Sequence, residues 1–189
     1  MHLKRQKAIT KLPIERKGTT FIARASSHYK NSVPVVIALR DMLNLAQTTK
    51  EVKKMIHDRA LKINGRPVKD YRESIRLFSI LEADKPYILT LLPTGKFAFS
   101  PSTSSSRLVK VTGKKLLKNN KIQLNLYDGT NILSNNKISI NDSLLLENKQ
   151  ISKHIPIEKN REAFIMRGKY LGKKGKILDI KGNKVLIQI

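Results

Sequence analysis

Cysteine and tryptophan are both absent from this 189-residue chain. Without cysteine there is no disulfide framework, no thiolate metal site and no cysteine nucleophile, a composition compatible with a reducing cytoplasm. Aromatic residues amount to only 5%, so base stacking can play a minor part at most in any nucleic-acid recognition, and sequence readout is expected to be slight. The four histidines, His2, His28, His57 and His154, show no metal-ligand spacing. No cofactor or metal is expected. Long apolar runs are missing as well: the densest, Ile88-Leu89-Thr90-Leu91-Leu92, falls far short of the roughly 18 residues that a spanning helix needs. The basic N-terminus is not followed by the apolar stretch of a secretory signal. Neither a membrane nor a small-molecule substrate is an expected partner.

What the chain has in abundance is positive charge. Lys and Arg number 38 against 14 Asp and Glu, a net charge of +24. Over residues 1–30, 31–83, 84–160 and 161–189 the basic and acidic residues stand at 8 to 1, 10 to 6, 12 to 5 and 8 to 2. No segment is neutral. Self-repulsion on this scale opposes compaction, and a polyanion that neutralises the cations while releasing its own counterions offsets it. A hydrophobic content of 40% permits folded cores, so the expected partner is a nucleic acid bound by folded segments and not by a tail alone.

Residues 1–34 form a basic N-terminal arm with Lys4, Arg5, Lys7, Lys11, Arg16, Lys17, Arg24, His28 and Lys30 at irregular spacing. No helical or strand period organises it. It is expected to be extended and to gain its shape on binding RNA, anchored by Leu12, Ile14, Phe21 and Ile22. From Pro34, placed in a first helical turn, the period becomes helical, with Val35, Val36, Leu39, Leu43 and Ala46 on one face and Arg40 and Asp41 opposite. A second helix starts at Thr48, where Glu51 completes a capping-box pattern. Its apolar face is Val52, Met55, Ile56 and Ala60, and Lys50, Lys53, Lys54, His57 and Arg59 occupy the other sides. An alternating strand follows, Leu61-Lys62-Ile63, running into an Asn64-Gly65 turn. Pro67 places the next residues at a sheet edge or in a loop. The exposed side of the second helix, with Lys62, Arg66 and Lys69, is the RNA surface expected of this unit.

Beyond residue 76 the pattern is β. Strands are expected over 77–81, 87–92, 96–99, 108–111, 122–127, 131–133, 138–140, 144–146 and 155–157, with a turn at Pro93-Thr94-Gly95 and a loop or linker over the Ser-rich run 100–106. Short strands separated by Gly, Asn and Asp indicate a small barrel or sandwich. The last unit opens with Ala163–Met166 and continues into Arg167-Gly168-Lys169-Tyr170-Leu171-Gly172-Lys173-Lys174-Gly175. Three glycines among basic side chains read as a loop whose backbone approaches a phosphate or a base. A hairpin then turns at Gly182-Asn183. The Gly-Lys-Ser/Thr ending of a nucleotide-hydrolase phosphate loop is missing.

The segments HLKR, VPVVIALRDMLNLAQTTKEVKKMI, KINGRPVKD, YDGTNI, NDS and RGKYLGKKGKI, spread over nearly the whole chain, resemble the archaeal and eukaryotic small-subunit ribosomal protein family S-four-e. The short arm and its PIERKG segment are similar to archaeal members. The resemblance implies an α+β, multidomain architecture: the basic extended arm (1–34), a small helical/β S-four RNA-binding domain (35–83), a central β barrel-like domain (84–158) and a C-terminal KOW barrel-like hairpin unit (159–189). It implies a structural role in the small ribosomal subunit, with ribosomal RNA and neighbouring ribosomal proteins as partners. By position it carries the S-four surface onto Arg40, Lys50, Lys53, Lys54, Arg59, Lys62 and Arg66, and the KOW loop onto Gly168, Gly172 and Gly175 with Arg167, Lys169, Lys173 and Lys174. Three departures stand out. Ala25-Ser26-Ser27-His28 replaces a common Pro-Gly-Pro-His turn, the Ser-rich run replaces a short charged helix, and the KOW hairpin lacks the usual continuation, which implies a pared-down terminal barrel.

Two other classes compete. An RNA-modifying enzyme with an S-four-type module, as in pseudouridine synthases, needs a catalytic domain larger than the small β units here. Its acids would have to come from Asp84, Asp128, Asp142, Glu147, Glu158, Glu162 and Asp179, which are scattered, and Asp128 beside Gly129 reads as a turn former. A transient assembly or regulatory factor is not excluded by charge.

Overall fold

A computed structural model describes residues 3–103, 106–118, 121–134, 138–147, 150–182 and 184–189. Thus His2, part of the Ser-rich run and Asn183 of the terminal turn lie outside the described residues. The chain is mostly β and divides into two compact units, Met1–Thr103 and Ser104–Ile189. Among the described residues no helix is long and apolar enough to cross a membrane.

The first unit opens with the arm, which is shaped by its own side chains and not extended as its sequence implies. Strands β1 (Leu3–Lys4) and β2 (Phe21–Ile22) pair antiparallel. Arg5 closes the loop between them. Its Nε donates to the Thr19 carbonyl, Nη1 to the Glu15 carbonyl and Nη2 to Thr19 Oγ1, each at 2.7 Å. Leu12 is buried, and the Phe97 amide donates to the Lys11 carbonyl at 2.8 Å. Where a Pro-Gly-Pro turn is common in the resembling family, the serines supply the bonds. Ser74 Oγ donates to the Ser27 carbonyl at 2.7 Å and accepts from the Ser27 amide at 2.9 Å, while His28 takes a left-handed φ of 45°.

Strand β3 (Ser32–Pro34) carries the chain into helix α1 (Val35–Ile37), continued by a π-helical turn, Ala38–Met42. Pro34 therefore ends a strand and caps the helix; it is not in the first turn. The Val35 and Val36 amides, orphaned at a helix start, donate to the carbonyls of Glu73 and Tyr71 at 3.0 Å. Val35 through Leu39 are all buried, so this helix has no polar face along that stretch, unlike the amphipathic expectation. The Leu43 amide reaches back five residues to Ala38, and Asn44 at φ 54° stops the helix.

Helix α2 (Thr49–His57) follows the capping prediction closely. Thr48 Oγ1 accepts from the Glu51 amide at 3.3 Å and donates to Glu51 Oε1 at 2.9 Å, and Oε2 accepts from the Gln47 amide at 2.7 Å. These bonds hold the Glu51 carboxyl below its usual pKa. Val52 is fully buried and Met55 and Ile56 partly, but Ala60 is exposed.

Strands β4 (Lys62–Ile63) and β5 (Arg66–Pro67) form the predicted hairpin, with Asn64 and Gly65 at φ 53° and 74°, the double positive φ that a type I′ turn requires. Of the expected strand 77–81 only the end is strand, in β7 (Ile80–Glu82), because Phe78 at φ 63° interrupts the chain before it, and β6 (Ser74–Arg76) precedes it unexpected. β6 pairs with β3. With β8 (Pro86–Leu91) and β9 (Phe97–Pro101) the sheet order is β5-β4-β7-β8-β9. Its edge strand β5 keeps Pro67 on the open side, since the next amide, Val68, donates inward to the Leu61 carbonyl at 3.1 Å. The expected border at 83/84 falls inside this sheet, and Ser100 and Pro101 belong to a strand and not to a linker.

The second unit has a five-stranded antiparallel sheet, ordered β12-β11-β10-β13-β14, of β10 (Arg107–Leu116), β11 (Ile122–Leu126), β12 (Asn131–Ser134), β13 (Ser143–Glu147) and β14 (Gln150–Ile155). Val109, Val111, Leu124, Leu126, Ile138, Leu144 and Leu146 form its core. Ile138–Ile140 lead into a turn and not a strand. There the Asp142 carboxylate accepts from the Ser139 amide at 2.8 Å and lies 2.7 Å from His154 Nε2. β15 (Glu162–Phe164), β16 (Lys174–Lys181) and β17 (Lys184–Gln188) make a separate antiparallel sheet.

The core of the larger sheet is pinned by charge. Arg107 Nη1 lies 2.9 Å from Asp128 Oδ2, with side-chain exposures of 7% and 2%. The two meet as charges without hydrogen-bond alignment. Burial pulls the Arg107 pKa down and Asp128 opposes that shift. Asp128 Oδ1 also accepts from the Thr130 amide at 2.9 Å and its hydroxyl at 2.6 Å, the turn role expected of it. Removing one partner of a buried pair strands the other, so Asp128→Ala is expected to cost about 3–5 kcal/mol in urea denaturation. A loss within about 0.5 kcal/mol would refute this.

Candidate nucleic-acid interface

The sequence-predicted cations divide into two groups. Several are occupied within the chain. Arg5 clasps the arm, and Lys11 donates to Asn31 Oδ1 at 2.7 Å while lying over the Phe97 ring. Arg40 is bidentate to Asp41, both bonds 2.9 Å, an arrangement that raises the Arg40 pKa. Arg66 Nη2 bonds to Glu73, whose other oxygen accepts from the Lys69 amide at 3.1 Å. Arg24 stacks on Tyr29 with its guanidinium 4.5 Å from the ring centroid. These side chains have structural work whatever else they touch.

The rest point outward. Lys4, Lys7, Arg16, Lys17 and Lys30 of the arm, and Lys50, Lys54, Arg59, Lys62 and Lys69, are exposed, and no described carboxylate pairs with any of them. Arg59 holds a left-handed φ of 54° after the end of α2. His57 is exposed, with Nδ1 3.4 Å from Asp58 Oδ1.

One place draws predicted and unpredicted residues together. Tyr71 carries two cations near its ring, Lys53 Nζ at 5.1 Å from α2 and the Arg72 guanidinium at 5.0 Å. Arg72 escaped the sequence reading because it belongs to no helix face; its signal was adjacency to Tyr71 after Lys69-Asp70. The loop carbonyls of 71 and 73 also receive the α1 amides, so this cationic cluster stands on a fixed backbone. A cation over an aromatic face is worth about 0.5–1 kcal/mol at exposed sites.

In the second unit, the tip spanning 166–172 is closed by the Gly172 amide donating to the Ile165 carbonyl at 2.8 Å and the Ile165 amide to Lys173 at 3.0 Å. Gly168 and Gly172 have φ of 94° and 81°, as the turn requires. Arg167, Lys169 and Tyr170 are exposed, and Lys169 and Lys173 lie 5.9 and 5.6 Å from the Tyr170 centroid. Gly175 is different: it sits inside β16, where a Cβ would come within 2.5 Å of the Gln188 carbonyl and 2.4 Å of Ile187. Its small size serves strand packing, which corrects its assignment to the loop. Lys174 is likewise in β16, exposed. Among the described residues, no group of three or more His, Asp or Glu gathers as a metal site.

Residues 83–152 match the ribosomal family S4e and residues 159–189 the KOW motif. Over 189 residues the chain is 33% identical to small ribosomal subunit protein eS4 of Methanocella arvoryzae, covering 95% of this chain and 81% of that protein. The chain belongs to ribosomal family S4e. The eS4 protein of Methanospirillum hungatei is 34% identical, covering 94% of this chain and 79% of the relative. The crystal structure of the 30S ribosomal protein S4e from Thermoplasma acidophilum shares the fold, with a TM-score of 0.71 at 23% identity, covering 84% of this chain and 88% of that one. Within S4e, then, the family match starts at 83 while the sheet that contains this residue's neighbours runs on to Pro101. Sequence family and strand pairing set different borders.

The two roles of glycine separate by mutation. Gly175→Ala is expected to lower the melting temperature by several degrees through the clash with the Gln188 backbone. Gly168→Ala meets no atom within 4 Å and is expected to cost only about 1 kcal/mol from its positive φ. Equal shifts would contradict this division. Arg5→Ala is expected to speed amide exchange at Ala8 and Leu12, whose amides bond within the arm, while Arg16→Ala leaves it unchanged.

Proposed function

We infer that this S4e chain is a non-catalytic, structural constituent of the small ribosomal subunit. It binds ribosomal RNA through dispersed Lys and Arg side chains and so supports subunit assembly and translation. Family membership carries the reading, and the surplus of cations without internal partners supports it. Each free ammonium or guanidinium gains by neutralising a phosphate and releasing counterions, and many such contacts give tight binding without base readout. The proposed partners are small-subunit ribosomal RNA and adjoining ribosomal proteins, and the proposed location is the cytoplasmic small subunit.

Three patches are proposed as RNA contacts. The arm offers Lys4, Lys7, Arg16, Lys17 and Lys30. The S-four-type element proposed over 35–83 offers α2 and the Lys53–Tyr71–Arg72 cluster. The KOW tip offers Arg167, Lys169 and Lys173 beside Gly168, with Tyr170 exposed between the lysines for a base.

Sedimentation at moderate salt checks residency: co-migration with mature small subunits at one copy each is expected, and presence in precursors alone would make the chain a transient factor. Filter binding to an archaeal small-subunit rRNA transcript checks the mechanism. Lys53→Gln with Arg72→Gln is expected to flatten the dependence of log K on log salt by about 0.7–0.9 per lost phosphate contact. An unchanged slope would remove the cluster from the interface.

A further inference from the structure

Between Asp84 and Asp128 the chain has no acidic residue, yet eight Lys and Arg. Six of them fall on the β10–β11 hairpin: Arg107, which is held in the core by Asp128, and Lys110, Lys114, Lys115, Lys118 and Lys121. Burial alternates along β10 from Arg107 to Val111 and then ceases. Thr112, Lys114, Lys115 and Leu116 are exposed. The register shifts between Val111 and Gly113, a bulge that re-aims the strand, with Thr112 Oγ1 donating to the Asn125 carbonyl at 2.9 Å. At about 3.3 Å per residue, Leu116 lies roughly 16 Å along the strand from Val111. On the β10 side the ribbon thus leaves its core, while β11 still packs Leu124 and Ile122 against it.

The pairing past the bulge sorts the cations onto both faces. Lys114 lies opposite Leu124, so it shares the face of Leu116 and Ile122, while Lys115 pairs with Gln123 on the other face. Near the turn, where the Leu117 amide donates to the Lys121 carbonyl at 2.8 Å, Lys118 and Lys121 are exposed. No described carboxylate pairs with these lysines. Leu116, 70% exposed, is the most exposed of the large apolar residues described. A ribbon cationic on both faces is poorly suited to lie flat on an apolar partner. It fits a cleft with negative charge on both walls.

We propose that the β10–β11 hairpin tip is a further RNA-binding element, inserted into a groove or junction of folded RNA, with Lys114, Lys115, Lys118 and Lys121 on phosphates of both walls and Leu116 against an unpaired base. The inference rests on the ribosomal RNA reading above and assigns part of the central sheet's exposed surface to RNA. Unstacked bases at loops and bulges are the positions that an apolar side chain can reach in folded RNA.

Lysines also guard open strand edges against pairing with another chain, and β10 beyond Val111 is such an edge. The two roles give different results. The full-length chain carrying Lys114→Gln, Lys115→Gln, Lys118→Gln and Lys121→Gln is measured against an archaeal small-subunit rRNA transcript over a salt series, with its oligomeric state followed by light scattering and its fold by circular dichroism. Expected is a salt slope about 3 lower than wild type, from four contacts at about 0.7–0.9 each, and affinity down about tenfold or more at moderate salt. Hydroxyl-radical footprinting should then lose one local patch and keep the others. Leu116→Ser is expected to weaken binding severalfold at unchanged slope. Wild-type slope and footprint in the quadruple variant, with or without self-association, would overturn the proposal, as would loss of subunit incorporation at unchanged RNA affinity, which points to an acidic protein neighbour. Failure of the wild-type chain itself to bind the transcript would instead sink the underlying RNA reading.

Discussion

Each apolar cluster in this chain holds together against a net charge of +24, and the placement of its few carboxylates reflects that repulsion. Glu73 ties down Arg66, Asp128 neutralises the buried Arg107, Asp41 grips Arg40, and Asp179 lies 2.7 Å from Lys159. The acids thus secure cations at turns, strand ends and a core edge. So disposed, they leave the outer cations facing solvent. A phosphate backbone supplies from outside the countercharge that the composition withholds from within.

The division of labour among the basic residues follows from this. Arg5 donates three bonds to carbonyl and hydroxyl oxygens, which a guanidinium fork satisfies and a lysine ammonium would match less well. Lysines dominate the outward positions on α2, at the KOW tip and along the β10–β11 ribbon. There a flexible point charge adapts to phosphates whose spacing the protein does not set.

Local patterns were the readable part of the fold. The Thr48–Glu51 cap, the Asn64-Gly65 turn, the alternation over 122–126 and the Asp128 turn each involve residues within a few positions of one another, and their chemistry is visible in a short window. What escaped depended on distant partners. Arg5 reads as one more cation until the carbonyls of Glu15 and Thr19 are seen around it. Phe78 gives no hint of a left-handed backbone, so a strand was expected over 77–81 where the chain breaks between β6 and β7. Gly175 resembles its loop neighbours, and only Gln188 across the sheet explains it. For the candidate interface the sequence conveyed the sign of the charge and the carriers, but not which cations are engaged inside the chain. Arg72 and the hairpin lysines lay outside the basic arm, the helix face with the strand-turn after it, and the glycine loop, where the candidate cations were sought.

Pro67 on the outer side of edge strand β5 bears on the time before assembly. A ring nitrogen without hydrogen interrupts the row of donors that a second copy would need for docking there. Newly made molecules waiting for a transcript therefore lack a seam along which to zip together on that flank. One imino acid so disfavours strand-to-strand association at β5 and leaves that flank without the donor a fibre would need.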